Sequence, residues 1–162
     1  MNTPASTDRS ARVTGQYLWF RRGALHFALA MTDLVEVKII AAARPLPLAD
    51  KGVAGFVAFR SRVLPIFDPL SLAGKSALPD AFPCTAAFAS LNGQPVCALL
   101  LDEVGRMVML RYNPEPVAGV RIEAAISALV RVTPTLETLV LNTRGLAEVM
   151  GLAAAPAPGP RN

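Results

Sequence analysis

Four tight-turn signals set between short apolar runs constrain the fold of this sequence more than any other feature. The clearest is Asn92-Gly93, which separates the runs 85–91 and 96–101; an Asn-Gly pair supplies the two positive-φ residues that a two-residue hairpin turn requires. Arg22-Gly23 separates 16–20 from 25–31, Arg60-Ser61 separates 53–59 from 62–67, and Pro134-Thr135 separates 126–132 from 137–141. Each flanking run is too short for a stable helix and is rich in β-branched, aromatic or alternating apolar residues. The sequence therefore predicts an all-β domain, a barrel or a sandwich.

Other segments fill in the outline. Asp33 and Glu36 have the spacing of a capping box, which predicts a helical turn over 34–36 before a strand at 37–40. Arg44-Pro45-Leu46-Pro47 belongs on a sheet edge or in a loop, because proline cannot donate to a central ladder. Residues 78–83 and 113–116 read as loops and 106–110 as a strand. Asp68 can cap a short helix beginning at Pro69, and Asn142-Thr143 can cap a terminal helix through Met150 that stops at Gly151. One order occurs twice, strand, cap, helix, over 62–72 and again over 137–150. This weak internal duplication predicts two similar small barrels, each too small to be stable alone, sharing an interface.

Composition fits one globular unit. Of the 162 residues, 52% are hydrophobic and 17% charged, enough to bury a core and leave apolar surface for a partner. Residues 1–14 form a polar tail and 153–162 an Ala/Pro-rich one, both expected to be flexible; the domain is assigned to 15–152. The polar N-terminus has no secretory apolar stretch and no run reaches the roughly 20 residues of a spanning helix, so a cytoplasmic protein without direct membrane insertion is expected. The net charge of +4 comes from scattered Lys and Arg with no basic, aromatic-interleaved stripe. Nucleic acid is therefore not an expected partner, and a small-barrel nucleic-acid binder stands as a remote alternative.

Nothing in the sequence forms a catalytic constellation. His26 is the only histidine, and a barrel-face strand histidine with ordinary hydrogen bonds accounts for it without a triad. Cys84 and Cys97 sit in apolar surroundings and read as small hydrophobes. No metal-ligand spacing and no phosphate loop is present, so no enzyme activity, metal or cofactor is expected.

Three segments, in order, resemble CheW-type chemotaxis coupling domains. YLWFRRGALHFALAMTDLVEV (17–37) is similar to that family's opening hairpin and its x-V-x-E-V segment, with Glu36 on the glutamate. GFVAFRSRVLPIFDPLSL (55–72) is similar to the signature G-x-x-N-L-R-G-x-x-x-P-x-x-D-L, with Gly55, Arg60, Pro65 and Asp68 matching. VCALLLDEV (96–104) resembles the x-x-G-L-x-V-D-x-V strand, with Asp102 and Val104 matching. Residues 139–146 resemble the closing strand and helix start. The resemblance spans roughly 16–150.

It implies two SH3-like five-stranded barrels packed together, with short helices and a C-terminal helix. It also implies an adaptor that couples the cytoplasmic tips of methyl-accepting chemoreceptors to the regulatory domain of a CheA-type histidine kinase, recruited to membrane-receptor arrays. A receptor helical hairpin would lie in an apolar groove between the barrels. Leu34, Val35, Glu36, Gly55 and Arg60 are the implied partner-binding positions, while Pro65, Asp68 and Asp102 are assigned to structure. Alternatives stay open at each: Arg60 binds a partner carboxylate or is fixed in its turn, Glu36 faces a partner or completes the capping box, Leu34 or Val35 points into the core, and Gly55 admits a partner backbone or bends a strand. The chain departs from the signature at Ala58 and Ser61, where the family has Asn and Gly, at Ala98, and near 127–135. These changes raise two variants of the role, a coupler for a non-flagellar output such as type IV pili and a decoy that binds only the kinase.

Overall fold

The computed structural model describes residues 12–41, 44–45, 52–73, 83–114 and 125–150, with the backbone alone at 44–45. Strands β1 (Val13–Arg22) and β2 (Leu25–Ala30) form the first hairpin. A 3₁₀ turn, Met31–Asp33, leads into β3 (Leu34–Ile40). The edge piece β4 (Arg44–Pro45) and the hairpin β5 (Val53–Phe59) and β6 (Arg62–Phe67) follow, closed by a 3₁₀ turn at Pro69–Ala73. The second half repeats this order: hairpin β7 (Cys84–Leu91) and β8 (Gln94–Leu101), then β9 (Glu103–Tyr112), then hairpin β10 (Ile126–Thr133) and β11 (Leu136–Leu141), then helix α1 (Thr143–Val149).

The strands make two sheets. The first has the order β10-β11-β2-β1-β9 and the second β3-β7-β8-β6-β5-β4. With β4 set aside, the two orders are the same. In each, one hairpin joins the next through a short parallel pairing, Leu139 with Phe27 and Val140 with Ala28 in the first sheet, Ile66 with Ala98 and Phe67 with Leu99 in the second. The duplication is real, but its halves are not the two sheets. Residues 13–73 give β1 and β2 to the first sheet and β3 to β6 to the second; residues 84–150 give β7 and β8 to the second and β9 to β11 to the first. Neither half can complete a sheet by itself, which ties the two together more tightly than a shared interface between independent barrels would.

Three cores follow from this exchange. Phe20, Phe27 and Leu29 of the first sheet meet Phe67, Ala87, Leu99 and Leu101 of the second, together with Leu146 of α1, in one core between the sheets. Ala54, Phe59, Ile66, Phe88 and Leu100 fill the second sheet's own interior. Tyr17, Ala28, Leu110 and Val140 fill that of the first. On β8 the alternation is explicit, since Cys97, Leu99 and Leu101 face the intersheet core and Ala98 and Leu100 the other. Both faces being buried is why 96–101 shows no polar alternation. The high apolar content is thus largely consumed internally, and the seam between the sheets is closed core along these residues.

Several sequence expectations change in detail. The predicted turn over 34–36 lies earlier, at Met31–Asp33, and Leu34–Ile40 is strand throughout. No side chain caps that turn; the Asp33 carboxylate instead accepts a hydrogen bond from Thr143 Oγ at 3.2 Å. The β-branched run Val35, Val37, Ile39, Ile40 favours extension and overrides the weak box signal. At the terminal helix the N-cap is Asn142, whose side chain accepts from the Gly145 amide at 3.2 Å, and Thr143 is the first helical residue. The cap at Asp68 is as expected, with its Oδ1 accepting from the Leu70 amide at 3.1 Å. Strand β1 opens at Val13, inside the stretch assigned to the tail. The edge role expected of Arg44-Pro45 holds, whereas Leu46-Pro47, most of the 78–83 loop, Pro116, the Gly151 stop, residues 1–11 and 151–162 lie outside the described residues.

Candidate docking surface

The sequence-matched residues divide into a framework around Arg22, partly buried, and an exposed part of the second sheet. Arg22 organises the framework. Its Nε and Nη2 donate to the two oxygens of Asp68 at 3.0 and 2.9 Å, and its Nη1 to Asp102 Oδ1 at 2.9 Å. Asp102 Oδ2 also accepts from the Gly23 amide at 2.6 Å. One guanidinium therefore pins the β1–β2 turn to the corner after β6 and the corner after β8. The fork of Arg22 fits a carboxylate in two parallel bonds, the strong form of such a pair. Asp68 is 2% exposed and its oxygens are occupied, so it holds structure and offers nothing to a partner. Burial opposes the charged form of Asp102, but the Gly23 amide, Arg22 and Arg21 outweigh it and hold the carboxyl below its ordinary range. Pro65 and Gly55 are buried within the β5–β6 hairpin, and Gly55 lies at a register shift opposite Ile66.

Leu34 and Val35 are resolved by a β-bulge. The register of β3 on β7 shifts between Leu34 and Glu36, leaving Val35 as the extra residue. Both side chains are half-buried: Leu34 packs on the intersheet core and Val35 on the second sheet's interior. Neither is free to serve as an apolar anchor in full. Glu36 is half-buried and makes no ion pair among the described residues, so the capping box no longer accounts for it.

Arg60 sits at the tip of the β5–β6 hairpin, exposed, with its guanidinium 5.0 Å from the Phe59 ring centroid. Lys38 Nζ lies 5.0 Å from the same centroid and 5.4 Å from that of Phe88. Phe59 and Phe88 are stacked at 4.1 Å. The aromatic stack thus brings β3, which carries Glu36, together with the tip that carries Arg60, a proximity the sequence separation hides. Val63 pairs with Ala58 on the outer face of the hairpin and is 71% exposed; Ile39 on β3 is 68% exposed, and Phe56 is partly so. Lys38, Ile39, Phe56, Arg62 and Val63 are surface residues that motif matching did not single out. Ile39, Phe56 and Val63 lie on three strands, β3, β5 and β6, each beside a buried neighbour, Ile40, Gly55 and Leu64.

The Arg60-Ser61 turn has φ of 47° and 63°, both positive, the same form as Asn92 (53°) and Gly93 (79°). The family signature's Gly would take the Ser61 conformation without strain; a serine does so against its preference.

Among the described residues no group of three or more His, Cys, Asp or Glu side chains converges as metal ligands. His26 stacks on Trp19 at 5.0 Å with its Nδ1 buried and unpaired. Cys97 is enclosed in the intersheet core, where burial pushes its thiol up to about 12. No helix among the described residues is long and apolar enough to cross a membrane.

Two interlocked sheets of one strand order are joined by a partly buried ion clamp, and the second exposes apolar and charged side chains together. The sequence model of the CheW-like domain matches residues 16–149, and the chain belongs to that family. Among solved structures, the scaffolding protein TtCheW from Thermoanaerobacter tengcongensis is similar with a TM-score of 0.66 and 18% identity, over 86% of this chain and 96% of that one. At that identity the likeness concerns the fold. No curated protein sequence matches. The family and the fold agree with the sequence expectation of a two-barrel CheW-like adaptor.

Proposed function

We propose that this chain couples methyl-accepting chemoreceptors to a CheA-type histidine kinase by docking alone. The observation that carries the reading is the surface of the second sheet, which exposes Ile39, Phe56 and Val63 and carries Lys38, Arg60 and Arg62, cations that make no ion pair with the described residues. Large apolar side chains left in water beside unpaired charges are what a protein partner would cover. A receptor hairpin would lie across this exposed surface. Glu36, paired with Phe88 across β3 and β7, and Arg60, beside Phe59 at the hairpin tip, are of opposite charge and would fix its orientation.

Binding of wild type, Glu36→Arg and Arg60→Glu to a CheA-type regulatory domain and, separately, to a receptor-tip helical hairpin tests the proposal. Each reversal is expected to weaken at least one partner by about tenfold or more, with the circular dichroism of the fold unchanged. Full retention of both partners by both variants would remove this end from docking. The strained Ser61 favours a second reading, in which the tip has lost one partner and only the kinase is held. Wild-type binding to the kinase domain with none to the receptor tip would select it.

A further inference from the structure

The first sheet has an opening of its own on the opposite half of the strand order. Its terminal strands, β9 and β10, are not paired with each other, and a cavity of about 550 Å³ lies between them. The lining is informative. It takes in every residue of β9 from Arg106 to Arg111 and of β10 from Val130 to Val132. Successive strand residues point to opposite faces, so an unbroken run along a cavity wall means that the strand edges face it. An edge carries a row of backbone donors and acceptors.

The side chains around these edges are sorted by chemistry. Val108, Val130 and Val132 pack on the sheet's interior core. Met107, Met109, Arg111 and Arg131 are exposed. The cavity lining includes three arginines and no carboxylate other than what reaches Arg131, which pairs with Glu137 across 3.3 Å in solvent. Arg106 and Arg111 have no carboxylate at ion-pair distance among the described residues.

We propose that the β9/β10 opening takes an extended acidic segment of a partner protein as an added β-strand. Backbone hydrogen bonds to the edges supply the docking. Inward side chains of the guest meet Val108, Val130 and Val132 and are apolar; outward ones meet Arg111 and Arg131 and are Asp or Glu. The guest is therefore an alternating apolar and acidic strand. Basic or uniformly apolar strands are discriminated against by the three arginines.

The probe is a short fluorescein-labelled peptide alternating Glu and Val, titrated with the full chain by anisotropy. Saturable binding is expected, weakening by about tenfold or more in Arg111→Glu/Arg131→Glu and falling as salt rises. The same peptide N-methylated at alternate residues should not bind, and amide hydrogen exchange should slow in β9 and β10 when the unmodified peptide is present. Equal binding of a Lys/Val peptide, or undiminished binding of the N-methylated one, would overturn the proposal. So would no binding of the Glu/Val peptide together with aggregation of Arg106→Ser/Arg111→Ser, which would make the arginines guards against edge pairing. Concentration-dependent dimerisation of the wild type that is lost on Arg111→Glu/Arg131→Glu would overturn it in favour of a second copy. These outcomes are independent of the adaptor reading, whose test concerns the other sheet.

Discussion

Trp19 in the first sheet and Phe88 in the second hold corresponding places, each opposite an alanine of the neighbouring strand, Ala28 and Ala98. Their surroundings differ. Trp19 stacks on His26 and donates from Nε1 to Thr138 Oγ1 at 3.2 Å, while the hydroxyls of Tyr17 and Tyr112 meet at 2.9 Å nearby. Burial, reinforced by that hydrogen bond, pushes the Tyr17 hydroxyl up. Phe88 stacks on Phe59 within an apolar core, with Lys38 Nζ over its ring. A polar interior must satisfy its donors in fixed geometry, whereas an apolar one asks only for volume. The first sheet is accordingly the more constrained one at this place and the second the more permissive, although departures from the family signature fall in both, at Ala58, Ser61 and Ala98 in the second and near 127–135 in the first.

The largest effect is expected where the two sheets are joined. Arg22→Ala leaves Asp68 charged, buried and unpaired, and should destabilise the fold by about 3–5 kcal/mol, read from urea unfolding. Because each half of the chain contributes to both sheets, the transition should remain single; a split into two would show that the sheets are separable after all. The same clamp has an acid signature. Asp102 has a lowered folded pKa, so its contribution is present above the unfolded carboxylate pKa and is lost as pH falls through the folded one. Asp102→Asn should flatten that part of the acid limb.

A smaller loss should come from Gly105→Ala. A Cβ at Gly105 would overlap the Trp19 ring and approach its carbonyl, at the place where β1 and β9 shift register. The expected cost is about 1–3 kcal/mol, with part of it recovered by adding Trp19→Leu, which vacates the space. Equal stability of the Gly105→Ala variant would mean that the first sheet is as tolerant as the second, and the contrast between them would fail.

How much of this was legible in the sequence follows from the range of each interaction. The four hairpins were, because a turn and its flanking strands are local. The duplication was visible too, as two strand-cap-helix units, but the exchange of hairpins between sheets was not: the parallel pairings of β11 with β2 and β6 with β8 connect strands whose runs look alike in either arrangement. Asp68 and Asp102 could be assigned to structure from the family pattern, yet Arg22, the residue that joins them, has no motif and lies 46 and 80 positions away. Glu36 and Arg60 were named singly. Only the Phe59–Phe88 stack, with Lys38 beside it, brings their strands together.

The smallest effect is the one that bears most directly on the second sheet's freedom. Arg60-Ser61 and Asn92-Gly93 are turns of one geometry on neighbouring hairpins, and only the latter has the residues that geometry prefers. Ser61→Gly removes a positive-φ penalty of about 1 kcal/mol, partly offset by the greater entropy of glycine in the unfolded chain. A net gain of about 0.5–1 kcal/mol in urea unfolding is expected, whereas Gly93→Ser should lose a similar amount. If Ser61→Gly proves neutral while Gly93→Ser is costly, the Arg60 tip is held by contacts that the Asn92 tip lacks, such as the guanidinium over Phe59. If the glycine stabilises the fold but weakens partner binding, the strain at Ser61 belongs to the docking surface, since relaxing the tip would then release the orientation of Arg60.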